Sequence, residues 1–317
     1  MNMFEYLVVG IILLVFEVLY LKLAEKLGIF DIPHHQSSHV GVVIRGGGVI
    51  FYFAYIMWFL VSGMIYPMIF AGLTIIALTS FFDDIHSISP KIRMVLQFAA
   101  MMVMLYETNV FNLPLRNMLL LSVACVGVVN IYNFMDGING MTGGYSLILV
   151  AILIYVNLNI VEFIDIRLLA YIALAIVCFN LFNFRLHAKC FAGDIGSLSI
   201  GFIVIFLILK LIFRTSHIYW IAFVLVYIVD GGCTILHRII LRENILLPHK
   251  KHAYQIMANE LRMPHLAVSG IYMTIQGLIC IWFIAIPSNT TLFIQITILS
   301  TLYLVFMKRY YKLHKKN

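Results

Sequence analysis

The chain has 317 residues, 63% of them hydrophobic and only 11% charged, with a mean hydropathy of +1.01. Soluble domains run near roughly 45–50% apolar and 25% charged, so a water-soluble fold of this length would lack the polar side chains to cover its surface, and a disordered chain is excluded by the same numbers. A net charge of +7 in so apolar a chain points to membrane topology and anionic lipid rather than to nucleic acid.

Crossing a bilayer takes about 20 apolar residues per helix. Eleven runs are candidates: 4–24, 48–64, 65–82, 92–107, 118–134, 145–161, 167–184, 197–214, 217–233, 266–286 and 291–307. The fourth is the weakest, because its apolar part is short, and the second and third are parted only by a turn around Gly63 and Pro67. The first lacks a preceding basic segment, so it reads as a retained anchor rather than a cleaved signal. No internal repeat, low-complexity stretch or soluble domain is visible, and residues 1–317 read as one transmembrane domain. The longest polar excursion, 234–265, opens in helical periodicity and is broken by Pro248 and Pro264. The expectation is an all-α polytopic integral membrane protein of about eleven transmembrane helices. The five cysteines show no CxxC or metal-type spacing and read as free thiols in apolar packing.

With the N-terminus outside and the C-terminus in the cytoplasm, the inner segments carry 17 Lys and Arg and the outer ones four: Arg116, Arg167, Lys210 and Arg214. That bias selects this orientation. It also gathers Asp83, Asp84, Asp136 and Asp194 at inner helix ends, with every histidine but His217 on that side. A transporter would hold its polar groups at mid-membrane, where only Glu17 and Lys210 are candidates, and a scaffold has no use for carboxylates at one face.

Five clusters carry the candidate chemistry. Asp83-Asp84, followed by Lys91 and Arg93, pairs two carboxylates with cations that could neutralise them or hold phosphate. A solvated loop with local ion pairs is the plainer reading. Asn130, Asn133 and Asp136 share a helix face before a glycine-rich turn containing Asn139, and their oxygens suit a hard cation. Amides in a span are also ordinary helix–helix ties. Asn183 and Phe191 precede Asp194, which opens the next run where helix amides can help bind phosphate. His249-Lys250-Lys251-His252 suits a pyrophosphate, and the HxxxH spacing of zinc proteases is absent. Asp31 through His39, with His34 and His35, then Arg45 before three glycines, reads equally as a metal-ligand set or as a polar loop. Asp230 is either a buried partner of a basic group or a peripheral site residue.

In this order, the segments Asp83-Asp84 through Ser89-Pro90-Lys91-Ile92-Arg93, Asn130-Ile131-Tyr132-Asn133-Phe134-Met135-Asp136-Gly137, Phe191-Ala192-Gly193-Asp194-Ile195-Gly196-Ser197 and the His249/His252 loop resemble the polyprenyl-phosphate N-acetylhexosamine-1-phosphate transferases. These are relatives of the phospho-MurNAc-pentapeptide translocase. The resemblance runs from about residue 28 to 255. It implies transfer of N-acetylhexosamine-1-phosphate from a UDP-sugar to undecaprenyl phosphate at the cytoplasmic face of the inner membrane. It also implies Mg²⁺, with Mn²⁺ as the substitute ion, on Asp194 and Asn133. Asp83 and Asp84 become the catalytic pair, handling the lipid phosphate. Asp136 would line the nucleotide-sugar site, Asn139 and Phe191 the uracil, and His249 and His252 the diphosphate or sugar. Lys91, Asn130, Asn183 and Arg45 complete the substrate-binding set. Some relatives are homodimers. The chain departs from the pattern at Asn139, where many members have Asp, at Gln36, often Arg, and in the reading HxxHxYQ, which is closer to initiators of O-antigen or capsule synthesis than to the peptidoglycan enzyme.

Overall fold

The computed structural model describes residues 3–32, 41–108, 114–245 and 249–311; His34, His35 and Gln36 lie outside them. Each of the eleven apolar runs is helical: α1 Met3–Leu27, α2 Val49–Val61, α3 Pro67–Ile85, α4 Pro90–Glu107, α5 Leu115–Met135, α6 Met141–Asn159, α7 Ile166–Asn183, α8 Gly193–Thr215, a 3-10 segment Ile218–Val224 leading into α9 Leu225–Ile240, α11 His265–Ala285 and α12 Asn289–Lys308. The polar excursion holds the short α10, Ala253–Gln255, and one π turn, Ile256–Glu260.

Nine of these segments, α9 counted with its 3-10 start, are long and apolar enough to cross a membrane. The expected count of eleven therefore meets two exceptions with plain causes. α2 has 13 residues, about 20 Å at 1.5 Å per residue, and α4 carries Lys91, Arg93 and Glu107.

Local signals set the helix starts. Ser89 Oγ accepts from the Ile92 amide at 3.4 Å with Pro90 at the first helical position, and Asp165 and Ser288 cap α7 and α12 in the same way. α8 is apolar on every side and buried almost throughout, so it forms the axis of the bundle, with α2, α3, α5 and α6 packed against it. α1 and α12 lie at the rim and expose Leu7, Ile11, Val15, Phe293, Leu302 and Val305, as lipid-facing helices do.

α3 and α5 end, and α2, α4, α6 and α8 begin, at one end of the bundle. There a small antiparallel pair forms, β1 Phe30–Asp31 on β2 Val43–Ile44, and Ile44 bridges in parallel to Cys190. α2 and α8 cross backbone to backbone just beyond it. A Cβ on Gly48 would stand 2.3 Å from the Gly196 Cα, so no side chain fits between them. The opposite end is tied by local pairs. The Trp58 indole donates to Asp165 at 3.0 Å, Arg167 pairs with Asp165 at 2.9 Å, Tyr171 donates to Glu5 at 2.7 Å, and Lys210 lies over the Tyr66 ring.

Candidate active site

Successive residues on a helix point about 100° apart, so Asp83 and Asp84 at the end of α3 face different neighbours. Asp84 faces α8. Its carboxylate accepts from the amides of Asp194 at 2.9 Å and Ile195 at 3.0 Å, and it pairs with Arg45 at 2.7 Å. Gly193 makes that approach feasible: its φ is +71°, and a Cβ there would meet Asp84 Oδ2 at 2.6 Å. The first-turn amides of α8, open to a phosphate on sequence grounds, are thus already donated to a carboxylate.

Asp83 faces α4. It accepts from the Ile88 amide at 2.6 Å and from Arg93 Nη1, and Arg93 Nη1 also donates to Asp194 Oδ2 at 3.0 Å. Arg45 closes the other side of Asp194 at 3.3 Å. Two guanidiniums from α4 and from the segment before α2 therefore bracket three carboxylates. Asp84 is 1% exposed and Asp194 16%, so Asp194 is the carboxylate a ligand can reach. Burial works against the Arg45 charge, but the carboxylates of Asp84 and Asp194 outweigh it and raise its pKa. Lys91 stands exposed, and Arg93 supplies the cation the sequence pattern assigned to that stretch. The Nε of Arg93 is buried and has no hydrogen-bond partner among the described residues.

The end of α5 brings Asn133 beside this cluster, its amide donating to Ser197 of α8 at 3.0 Å. Asp136 follows at the helix end, crowded by protein yet still touched by solvent. Burial pushes its carboxyl up to about 7, and the Asp194 carboxylate adds to the shift.

Three of the amides proposed as substrate contacts tie the scaffold together. Asn130 donates to Gln97 of α4 at 2.6 Å and to the Val126 carbonyl, a turn deeper than the cluster. Asn139 donates to the carbonyls of Arg185 and Leu186. Asn183 accepts from the Gly140 amide at 2.8 Å and donates to the Cys190 carbonyl at 2.9 Å. Phe191 sits partly exposed, its backbone stitched to Ile44 and Gly47.

The histidine loop docks on the α5–α6 turn. Tyr254 donates to the Phe134 carbonyl at 2.8 Å, and the rings of His249 and His252 stand 4.8 Å apart against Phe134. Asp230 of α9 is the buried partner of a basic group: its Oδ1 lies 3.3 Å from His252 Nδ1. Outside this contact, Glu243 pairs with Arg238 at 3.1 Å and with Lys251, joining the end of α9 to the loop.

The structure thus brings Asp83, Asp84, Asp194, Arg45 and Asn133 into one cluster at the same bundle end as Asp136, and it adds Arg93. It places Asn130, Asn139 and Asn183 in the surrounding framework. Glycosyl transferase family 4 matches residues 66–212, a stretch that contains Asp83, Arg93, Asp136 and Asp194. A protein of Bacillus subtilis (strain 168) named "Probable undecaprenyl-phosphate N-acetylglucosaminyl 1-phosphate transferase" is 24% identical over 253 residues, 74% of this chain and 70% of that protein. The undecaprenyl-phosphate alpha-N-acetylglucosaminyl 1-phosphate transferase of Escherichia coli (strain K12) is 27% identical over 227 residues, 62% of this chain and 59% of its own length. That of Salmonella typhi is 28% identical over the same shares. The chain therefore spans less than two thirds of the two enterobacterial relatives. With the carboxylates inside the matched stretch converging at one end of an all-α membrane bundle, the chain is similar to glycosyl transferase family 4 and to proteins named as undecaprenyl-phosphate N-acetylglucosaminyl 1-phosphate transferases.

Proposed function

We propose that this protein transfers N-acetylhexosamine-1-phosphate from a UDP-sugar to undecaprenyl phosphate, releasing UMP and starting a lipid-linked cell-surface polysaccharide of the O-antigen or capsule kind. The sugar is N-acetylglucosamine or a relative such as FucNAc or QuiNAc. The site faces the cytoplasm from the inner membrane, by the 17-to-4 bias of Lys and Arg. The observation that carries the reading is the bracketed carboxylate cluster, Asp83, Asp84 and Asp194 between Arg45 and Arg93, set where membrane and cytosol would meet.

In this reaction an oxygen of the lipid phosphate attacks the β-phosphorus of the nucleotide sugar. The bond from that phosphorus to the bridging oxygen breaks, and UMP leaves with the electron pair. A phosphate monoester has its second pKa near about 6, so the acceptor needs no strong base at neutral pH. Asp83, on the α4 side, and the two guanidiniums then serve to place and neutralise phosphate oxygens rather than to abstract a proton. Asp84 holds α8 and Arg45 in register for that task.

The donor set suits Mg²⁺. Three carboxylates exceed two guanidiniums by one negative charge, and Asp194 with Asn133 supplies hard oxygen atoms. Among the described residues no three His, Cys, Asp or Glu side chains form a cage. An ion held by Asp194 and Asn133 would take its other ligands from water and substrate phosphates. When bound, Mg²⁺ or Mn²⁺ supplies charge neutralisation to the diphosphate.

A transporter is the rival reading. Its mid-span candidates have other engagements, Glu17 with Cys190 and Lys210 with Tyr66 near the far end of α8. The deciding assay is UMP release by the purified protein from UDP-GlcNAc, UDP-GalNAc, UDP-FucNAc and UDP-QuiNAc, with and without undecaprenyl phosphate and Mg²⁺. Release that depends on both is expected; no UMP from any of the four overturns the reading.

A further inference from the structure

α1 lies at the rim, yet one stripe of it faces the bundle. Leu13, Glu17, Leu21 and Ala24 are buried, and Tyr20, three residues beyond Glu17, lies half-buried on the same side. The Tyr20 hydroxyl donates to the Arg45 carbonyl at 2.8 Å. It also fills the space beside the next residue: Gly46 has a φ of +85°, and a Cβ there would stand 2.3 Å from the Tyr20 hydroxyl oxygen. The turn before α2 is built around that oxygen.

Arg45 is thereby held on both flanks. Its amide donates to the Ile29 carbonyl at 3.2 Å, and its carbonyl accepts from Tyr20. Peptide units are planar, so fixing the two that adjoin a Cα fixes the direction in which its side chain leaves the backbone. Along that direction Nε comes to 2.7 Å from Asp84 Oδ1 and Nη2 to 3.3 Å from Asp194 Oδ1. Gly47 and Gly48 are tied the other way, their amides donating to the Phe191 and Ala192 carbonyls at 2.9 and 3.1 Å. Those bonds set the segment against the start of α8, and Tyr20 sets it against α1. The Arg45 side chain is 32% exposed, and a guanidinium carries five N–H donors, more than these two contacts use.

We propose that Tyr20 is a positioning residue: by holding the Arg45 carbonyl, its hydroxyl fixes the direction from which the guanidinium reaches Asp84 and Asp194, and with it the place where a substrate phosphate oxygen is met. This rests on the transfer reaction proposed above. Tyr20 acts through the Arg45 main chain and not on substrate, in a reaction where small displacements of a charged group are costly.

Tyr20→Phe keeps the ring and removes the hydroxyl. In the purified variant, kcat/KM for UMP release should fall about 3- to 10-fold, the size expected of one lost hydrogen bond. Tyr171→Phe removes a hydroxyl at the far end and should stay within about twofold of wild type. A hydroxyl that merely tied α1 to the turn would cost the same whatever side chain residue 45 carried. One that aims the guanidinium costs little once the guanidinium is gone, so in an Arg45→Gln background Tyr20→Phe should add less than about twofold. In ¹⁵N-arginine-labelled protein, the Nε–H signal of Arg45, assigned by its absence in Arg45→Gln, should exchange slowly with water in wild type and at least about tenfold faster in Tyr20→Phe.

A folded Tyr20→Phe variant with wild-type kcat/KM, or an equal loss in both backgrounds, overturns the proposal. So does an Arg45 Nε–H that exchanges in wild type as fast as in free arginine, a readout that stands even where Tyr20→Phe fails to fold. Where Arg45→Gln leaves too little turnover for the comparison, the Nε–H signal decides. If wild type forms no UMP from any donor, the transfer reaction is what falls, and the Nε–H signal still judges whether Tyr20 holds Arg45.

Discussion

The two ends of the bundle hold similar materials and put them to different ends. At the far end several charges are met by near neighbours: Asp165 by Arg167 and the Trp58 indole, Glu5 by Tyr171, Glu107 by the Met68 amide. Those partners settle locally, at least one donor or cation to each carboxylate. At the near end, charges from α3, α4, α8 and the segment before α2 meet with one carboxylate to spare, Arg93 retains a buried N–H, and Asp194 stays within reach of solvent. A satisfied set of helix ends anchors a fold, whereas an over-supplied set waits for a ligand.

That contrast can be broken most forcefully at Asp194. Asp194→Asn keeps the shape and removes the charge, and should cut UMP release by at least about 100-fold without lowering expression; a purified variant with full activity would dissolve the distinction between the two ends. Arg93→Lys is next. A lysine is shorter, strongly hydrated and without the Nε–H, so it cannot place a nitrogen between Asp83 and Asp194 as Arg93 Nη1 does, and a loss of about tenfold in kcat/KM for UMP release is expected.

Asp136 sharpens the comparison through pH. Its folded pKa, near 7, lies above the ordinary 3.8, so the folded state holds that proton more tightly than the unfolded chain does. Its stabilising contribution is complete below 3.8 and is lost as pH rises through 7. Thermal unfolding followed from about pH 5 to 8 should show a fall in wild type that Asp136→Asn flattens. The smallest effect belongs to the far end. Arg167→Ala should cost about 0.2–1 kcal/mol of stability and leave UMP release unchanged, as partly exposed pairs do.

Much of the architecture was legible because hydrocarbon imposes a length and a composition on every helix. All eleven apolar runs are helices, and even the exceptions, the short α2 and the charged start of α4, show in the sequence as a brief run and as Lys91-Ile92-Arg93. The cluster of acids at one end was readable from the alternation of runs. The choice between Lys91 and Arg93 was not. Ser89-Pro90 announces a helix start, and two residues on, the side chains diverge by roughly 200°, so only one can face Asp83; which one depends on the packing of α4 on α3.

The amides were opaque for a different reason. Asn130, Asn139 and Asn183 offer the same donors and acceptors to a ligand or to a carbonyl, and only the third dimension shows that Gln97, Arg185 and Cys190 use them. Asp230 could be suspected as a partner because a carboxylate so deep in an apolar run needs a donor, although nothing in the chain named His252, 22 residues away. The Gly48–Gly196 crossing escaped notice altogether, since a glycine in a loop and a glycine in a helix carry no sign that they touch.

The brevity of α2 has a consequence for the surrounding lipid. Its 13 residues reach about 20 Å, while α8 beside it, with 23, reaches about 35 Å. The exposed turn from Ser62 to Tyr66 therefore stops well short of the α8 terminus, level with Phe206 and Lys210, whose side chains meet Tyr66. A bilayer with about 30 Å of hydrocarbon must compress at that corner or leave apolar surface wet. Hydrophobic mismatch thus becomes a property of one flank of the protein. Its heat resistance in vesicles should follow acyl-chain length, with shorter and more compressible lipids holding the α2–α3 flank at the lowest elastic cost.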